Sequence, residues 1–193
     1  TAPNCSFIVD DINESWTWDD DSLDIVHSRA ITAGMANWKR LIEQSYQKLK
    51  PGGWVELEEF HFPFELFDKE SDKHSPMIEW SQKMAAGLAR LGILSETDIL
   101  EKHLEAAGFV DIHKDLIKAG MGWPHEKEAR TEDEKKWKKI GILSARDMYA
   151  GLPGMSLALF TKVLGWSRAQ VEIYLVEPRK ELREARGEIY LPM

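Results

Sequence analysis

Three clusters of polar residues each close a short apolar run, and each could do chemistry. Asp10 and Asp11 follow Phe7-Ile8-Val9, and His27, Ser28 and Arg29 follow Leu23-Asp24-Ile25-Val26. Glu58, Glu59 and His61 end the alternating stretch Trp54–Phe60. An ionised acid accepts hydrogen bonds, so Asp10 or Asp11 suits an amine or hydroxyl, such as the amino group of adenine. Arg29 suits a carboxylate, held bidentately. His27 and His61 are candidate general bases for an oxygen or nitrogen acceptor. Singly, each of these residues reads equally well as a turn residue, a helix cap or, for the histidines, a structural side chain. Three such clusters converging on one crevice are less easily dismissed. No metal site is expected, because the six histidines lack ligand spacing and Cys5 is the single cysteine. No nucleophile elbow or phosphate loop occurs.

The elements that would position these groups alternate. Residues 6–10 read as a buried strand, 23–26 as a second, and 54–60 as a third. Met35, Trp38, Leu41, Ile42, Ser45, Tyr46 and Leu49 keep helical spacing, which predicts an amphipathic helix over 34–49 ended by Pro51-Gly52-Gly53. Further helices are expected at 76–91, after a capping box at Ser95 and Asp98, at 131–149, and at 155–164 beyond a break at Pro153-Gly154. Phe109 to Ile117 reads as a strand and Met121–Pro124 as a loop. The run Lys135, Lys136, Lys138, Lys139 reads as a solvated face, opposite Trp137, Ile140 and Met148. Ser167 and Gln170 mark a helix start, Pro178 should kink or break that helix, and 188–191 looks like a strand beginning. The alternation argues for a mostly parallel α/β sheet, in which ligands bind beyond the strand carboxyl ends.

An acid for an amine and an arginine for a carboxylate together suit S-adenosyl-L-methionine. Phe7–Trp16, Leu23–Arg29, Asn37-Trp38 and Leu49-Lys-Pro-Gly-Gly-Trp-Val-Glu-Leu-Glu-Glu59 resemble a class I S-adenosylmethionine-dependent methyltransferase. The likeness is greatest to the fungal LaeA-like group, which modifies or regulates secondary metabolites, and Ser156–Ser167 also resembles that group. It covers about 4–60 strongly and 96–190 moderately. The resemblance implies that Asp11, with Asp10 as its neighbour, sits near the adenine amino group and that Ile12 offers its backbone beside the ring. It places His27, Ser28 and Arg29 near the methionine part and the substrate.

The family's glycine-rich cofactor loop and its ribose-binding acid are absent from these residues. The resemblance therefore implies an incomplete Rossmann-like sheet, strands 3 to 7 of the family order, in one partial domain over 1–193. The missing part is expected before Thr1, and the last strand is expected to continue past Met193. Two long connections, about 61–94 and 121–186, should fold over the crevice as helical lids. They carry Phe64, Trp80, Met84 and Trp123, candidate contacts for a hydrophobic small-molecule substrate. Methyl transfer needs alignment and exclusion of water more than acid–base power.

Composition narrows the partners. With 33 acids against 25 bases the chain carries a net charge of −8, a poor match to nucleic acid or an anionic membrane. No apolar run approaches membrane-spanning length. An intracellular location, cytoplasmic or nuclear, is expected. The leading expectation is methyl transfer to a hydrophobic small molecule. The alternatives are a non-catalytic regulatory subunit that needs a partner chain, or a pocket turned to cyclisation or elimination. A protein partner or an upstream segment would complete the sheet.

Overall fold

The computed structural model describes residues 2–93, 99–124 and 127–193. Its first unit is built on two parallel strands, β1 (Leu23–Arg29) and β2 (Leu49–Glu58), joined through helix α1 (Trp38–Lys48). Asn37 starts α1 by accepting a hydrogen bond from the Arg40 N–H at 2.9 Å. The helix buries Trp38, Leu41, Ile42 and Ser45, the spacing expected of one apolar face. It begins later than the sequence suggests because a 3-10 turn occupies Thr32–Gly34. Helix α3 (Leu100–Ala107) packs on α1, with Leu100 buried and Leu104 and Phe109 against the same cluster. Gly108 ends α3 at φ 108°.

Pro51-Gly52-Gly53 lies inside β2 as a bulge. Leu23 pairs Leu49 and Ile25 pairs Trp54, after which the register runs regularly to Arg29 opposite Glu58. Gly52 takes φ +84°, and a Cβ on Gly53 would meet Lys50 O and Leu49 Cδ2 at 3.0 Å.

The second unit is an antiparallel sheet in the order β3 (Glu65–Leu66), β5 (Arg186–Pro192), β4 (Lys118–Gly122). Four helices pack with it: α2 (Pro76–Arg90), α4 (Glu132–Lys162), α5 (Arg168–Tyr174) and α6 (Val176–Glu184). Its core includes Phe64, Trp80, Leu152, Phe160 and Leu175, each 1% exposed or less. The join follows β2 directly, since Phe60 packs on this core and the His61 N–H donates to Pro192 O at 2.9 Å.

Several expectations are corrected. Among the described residues the strands form a parallel pair and a separate antiparallel triplet, because β5 returns between β3 and β4. Residues 6–10 are no strand: Phe7, Ile8 and Val9 are 85, 68 and 105% exposed, with no ladder to β1. Residues 109–117 are irregular, with Val110 80% exposed, and the strand runs Lys118–Gly122, taking in the first two residues of the expected loop Met121–Pro124. Helix α4 runs unbroken through Pro153. Packing of Leu152, Ser156 and Phe160 overrides the lost hydrogen bond. Trp137 is 44% exposed rather than packed.

Pro178 does accompany a break, at Leu175, where the carbonyl of Tyr174 has no Pro178 N–H to receive. Ser167 and Gln170 form the expected reciprocal cap. The capping residues Ser95 and Asp98 lie outside the described residues.

Candidate functional site

An open cleft of about 550 Å³ lies between the 6–18 segment and β1. Its walls bring together Asp10, Asp11, Ile12 and His27, with Phe7, Ile8, Trp16, Trp18 and Ile25 supplying apolar surface. That size falls within the range of small-molecule sites, roughly 300–1,000 Å³.

The acidic wall is a local turn. Asp10 Oδ1 accepts the Asp11 N–H at 2.9 Å, and Asp11 Oδ1 accepts the Asn13 N–H at 2.9 Å and Asn13 Nδ2 at 3.1 Å. The Asn13 donors hold the Asp11 carboxyl below its usual range, so it is ionised at neutral pH. Asp11 Oδ2 receives no hydrogen bond among the described residues and remains able to accept one.

The turn is tied to α1. Asn13 Oδ1 accepts the Ala36 N–H at 3.2 Å, Gln44 Oε1 accepts the Trp16 N–H at 2.8 Å, and Gln44 Nε2 donates to Glu14 O at 3.0 Å. Trp16 Nε1 donates to Ile12 O at 3.2 Å, and its ring meets Trp18 edge-on at 5.5 Å. The backbone carbonyl of Ile12 is therefore already engaged.

On the opposite wall, His27 and Glu56 face each other across the strands, with Nδ1 2.8 Å from Glu56 Oε2. Both side chains are substantially exposed, so the pair orients the ring more than it stabilises the fold. In the neutral ring, with Nδ1 donating to the carboxylate, Nε2 carries the lone pair. Arg29, two residues on, lies on the same strand face but outside the cleft lining. His61 also lies outside it, in the second unit, where its backbone N–H meets Pro192 O.

The four expected substrate contacts separate. Phe64, Trp80 and Met84 are 1, 0 and 6% exposed and are taken up by packing. The Trp80 Nε1 donates to Ser156 Oγ at 2.8 Å and its ring leans on Phe64. They offer a ligand almost no surface in this structure. Trp123 alone lines an open groove, of about 420 Å³, with Phe67, Trp137 and Lys127.

The sequence reading missed Trp16 and Trp18 as parts of the cleft and Glu56 as the partner of His27. Trp16 and Trp18 carried a signal, a pair of aromatics just after the acidic turn. Glu56 carried none until the register placed it opposite His27.

Two parallel strands joined through a helix, with a cleft beside the first strand, make an α/β arrangement. The model of the methyltransferase domain family matches residues 3–114, more than half of the chain, and the chain belongs to that family, with the α/β, Rossmann-like class it carries. Methyltransferase pytC of Aspergillus terreus is 29% identical over 180 residues, covering 92% of this chain and 53% of the relative. The probable methyltransferase tdiE of Emericella nidulans is 26% identical, covering 95% and 55%. The secondary metabolism regulator laeA of Aspergillus fumigatus is 25% identical, covering 92% and 46%. These relatives agree with the LaeA-like resemblance. The chain spans about half the length of the curated relatives it matches.

Proposed function

We propose that this chain carries the adenosine side of an S-adenosyl-L-methionine site and transfers a methyl group to a hydrophobic small molecule of secondary metabolism. The observation that carries the reading is the cleft, where Asp10, Asp11, Ile12 and His27 meet beside β1. An ionised Asp11 with an oxygen to spare fits an amino group, and the Trp16 and Trp18 rings fit a planar base. Arg29 would reach toward the carboxylate of the cofactor's methionine part. The cofactor supplies an electrophilic methyl on a sulfonium. The protein's part is to align an acceptor and keep water out.

His27 is the candidate base through Nε2, while His61 belongs to the second unit and is the weaker candidate. That unit, built largely from 61–93 and 121–186, would act as the lid, with Trp123 at its one apolar opening among the four residues singled out. Only one edge of β1 is paired among the described residues. In this reading the other edge is completed by further chain or by a partner protein.

A second reading has one specific support: laeA relatives are regulators by name. There the cleft would bind cofactor without transferring methyl. Incubating the protein with methyl-labelled S-adenosyl-L-methionine and a host metabolite extract separates the two. Label in the organic-soluble fraction, lost in His27→Ala, supports transfer to a small molecule. Cofactor binding without extractable label overturns that reading in favour of the regulatory one.

A further inference from the structure

Glu59, at the carboxyl end of the parallel pair, is a buried acid with no lysine or arginine partner among the described residues. It is 5% exposed. Four donors meet its charge. Oε2 accepts the Ile31 N–H at 2.9 Å, the Thr32 N–H at 3.0 Å and the Thr32 hydroxyl at 2.8 Å, and Oε1 accepts the Ser28 hydroxyl at 3.1 Å. Each carboxylate oxygen has about two lone-pair sites, so Oε2, with three donors, is fully engaged, and Oε1 has one partner.

Its partners lie on both sides of a strained turn. Between Ser28 and Ile31, Ala30 sits at φ +57°, a left-handed conformation unusual for a residue with a Cβ. The Ala30 N–H is bound to Glu58 O at 2.9 Å, and the Thr32 hydroxyl also approaches Phe60 O at 3.3 Å. One side chain thus ties the end of β1, the turn after it and the start of the second unit.

We propose that Glu59 is a positioning residue for the crevice at the strand ends. Side chains alternate across a strand, so holding Ser28 on the buried face commits His27 and Arg29 to the opposite face. Pinning Ile31 and Thr32 keeps the chain turning away at Ala30 instead of running on along the strand. The inference rests on the cofactor reading above and assigns to that site the group that holds its histidine and arginine in place.

Three variants of the intact protein test it: Glu59→Gln, Glu59→Ala and Thr32→Val. Glutamine keeps the shape, with its oxygen toward Ile31 and Thr32 and its amide toward the Ser28 hydroxyl. Alanine leaves the buried Thr32 N–H and the half-buried Ile31 N–H without their acceptor, and valine removes one hydroxyl at constant shape. The readouts are amide exchange at Ile31 and Thr32 and titration with S-adenosylhomocysteine. Glu59→Gln should keep both near wild type. Glu59→Ala should lose the protection and bind about ten-fold more weakly or worse, equivalent to about 1.4 kcal/mol. Thr32→Val should fall between and melt close to wild type, and it decides the matter if the alanine variant does not fold.

A folded Glu59→Ala or Thr32→Val protein that binds like wild type overturns the inference. So does a glutamine variant as weak as alanine. Absence of binding by the wild-type protein instead overturns the cofactor reading itself, and this inference with it.

Discussion

Asp11 and Glu181 show how opposite surroundings set two acids. Asp11 is exposed and held ionised by Asn13, so it meets a ligand already charged. Glu181 accepts the Ser75 hydroxyl at 2.8 Å and the Met77 N–H at 2.8 Å, capping the start of α2 from α6. Burial raises its carboxyl above the ordinary value of 4.5, against the pull of those donors and of Lys73, while Glu188 adds to the rise. The folded chain therefore binds a proton more readily than the unfolded chain does. Stability falls as pH rises from 4.5 through the raised value. Denaturation of wild type and Glu181→Gln from pH 4 to 8 should show similar stability at the acid end and a relative gain for the glutamine variant by neutrality. A gap that widens toward acid would contradict this. In the sequence Glu181 is one acid among 33, and nothing nearby marks it as buried. Asp11 was legible because it closes an apolar run, and His27 likewise.

Helix α4 carries the main lesson about elements. Thr131 and Glu134 cap it reciprocally, and the Arg130 and Thr131 N–H groups, with Lys127, hold the Glu134 carboxyl down to about 2. Pro153 lies in its interior, and local rules predict a break. The helix continues because its two halves pack on one core, information that residues 150–156 do not contain. Pro153→Ala should restore a hydrogen bond to the Tyr149 carbonyl and raise stability by up to about 3 kcal/mol. A lowered melting temperature would contradict this. Gly141 should behave oppositely, because a Cβ there would stand 2.1 Å from Gly122 O where α4 crosses β4. Gly141→Ala should cost about 1–3 kcal/mol or more, read by chemical denaturation. Amphipathic α1 and the glycine-ended α2 and α3 were legible from spacing and stop signals alone. The two-residue β3 was not, being defined only by its pairing with β5. Residues 6–10 mislead for the same physical reason: an apolar run is a strand only where a neighbour supplies the ladder.

At the scale of the molecule the chain separates into a parallel unit, which bears the cleft, and an antiparallel unit, which carries Trp123. The sequence foretold an α/β chain and the methyltransferase family. It did not foretell that 61–93 and 118–192 would build a sheet of their own, because strand order depends on long-range pairing rather than local pattern. Nor did it separate Phe64, Trp80 and Met84, which fill a core, from Trp123, which meets solvent. All four are large and apolar, and burial is decided by the partners that α4 and α6 bring. Ile25 and Trp54, opposite each other on one face of the parallel pair, remain 59 and 65% exposed.

The claim on which the account turns is that the cleft between 6–18 and β1 receives the adenosine part of the cofactor. Calorimetric titration of the folded protein with S-adenosylhomocysteine, beside Asp11→Ala, addresses it directly. The account predicts saturable micromolar binding that weakens about ten-fold or more when Asp11 is removed, the scale of a hydrogen bond to a charged group. Equal binding by both proteins, or no heat from a folded wild type, would contradict it.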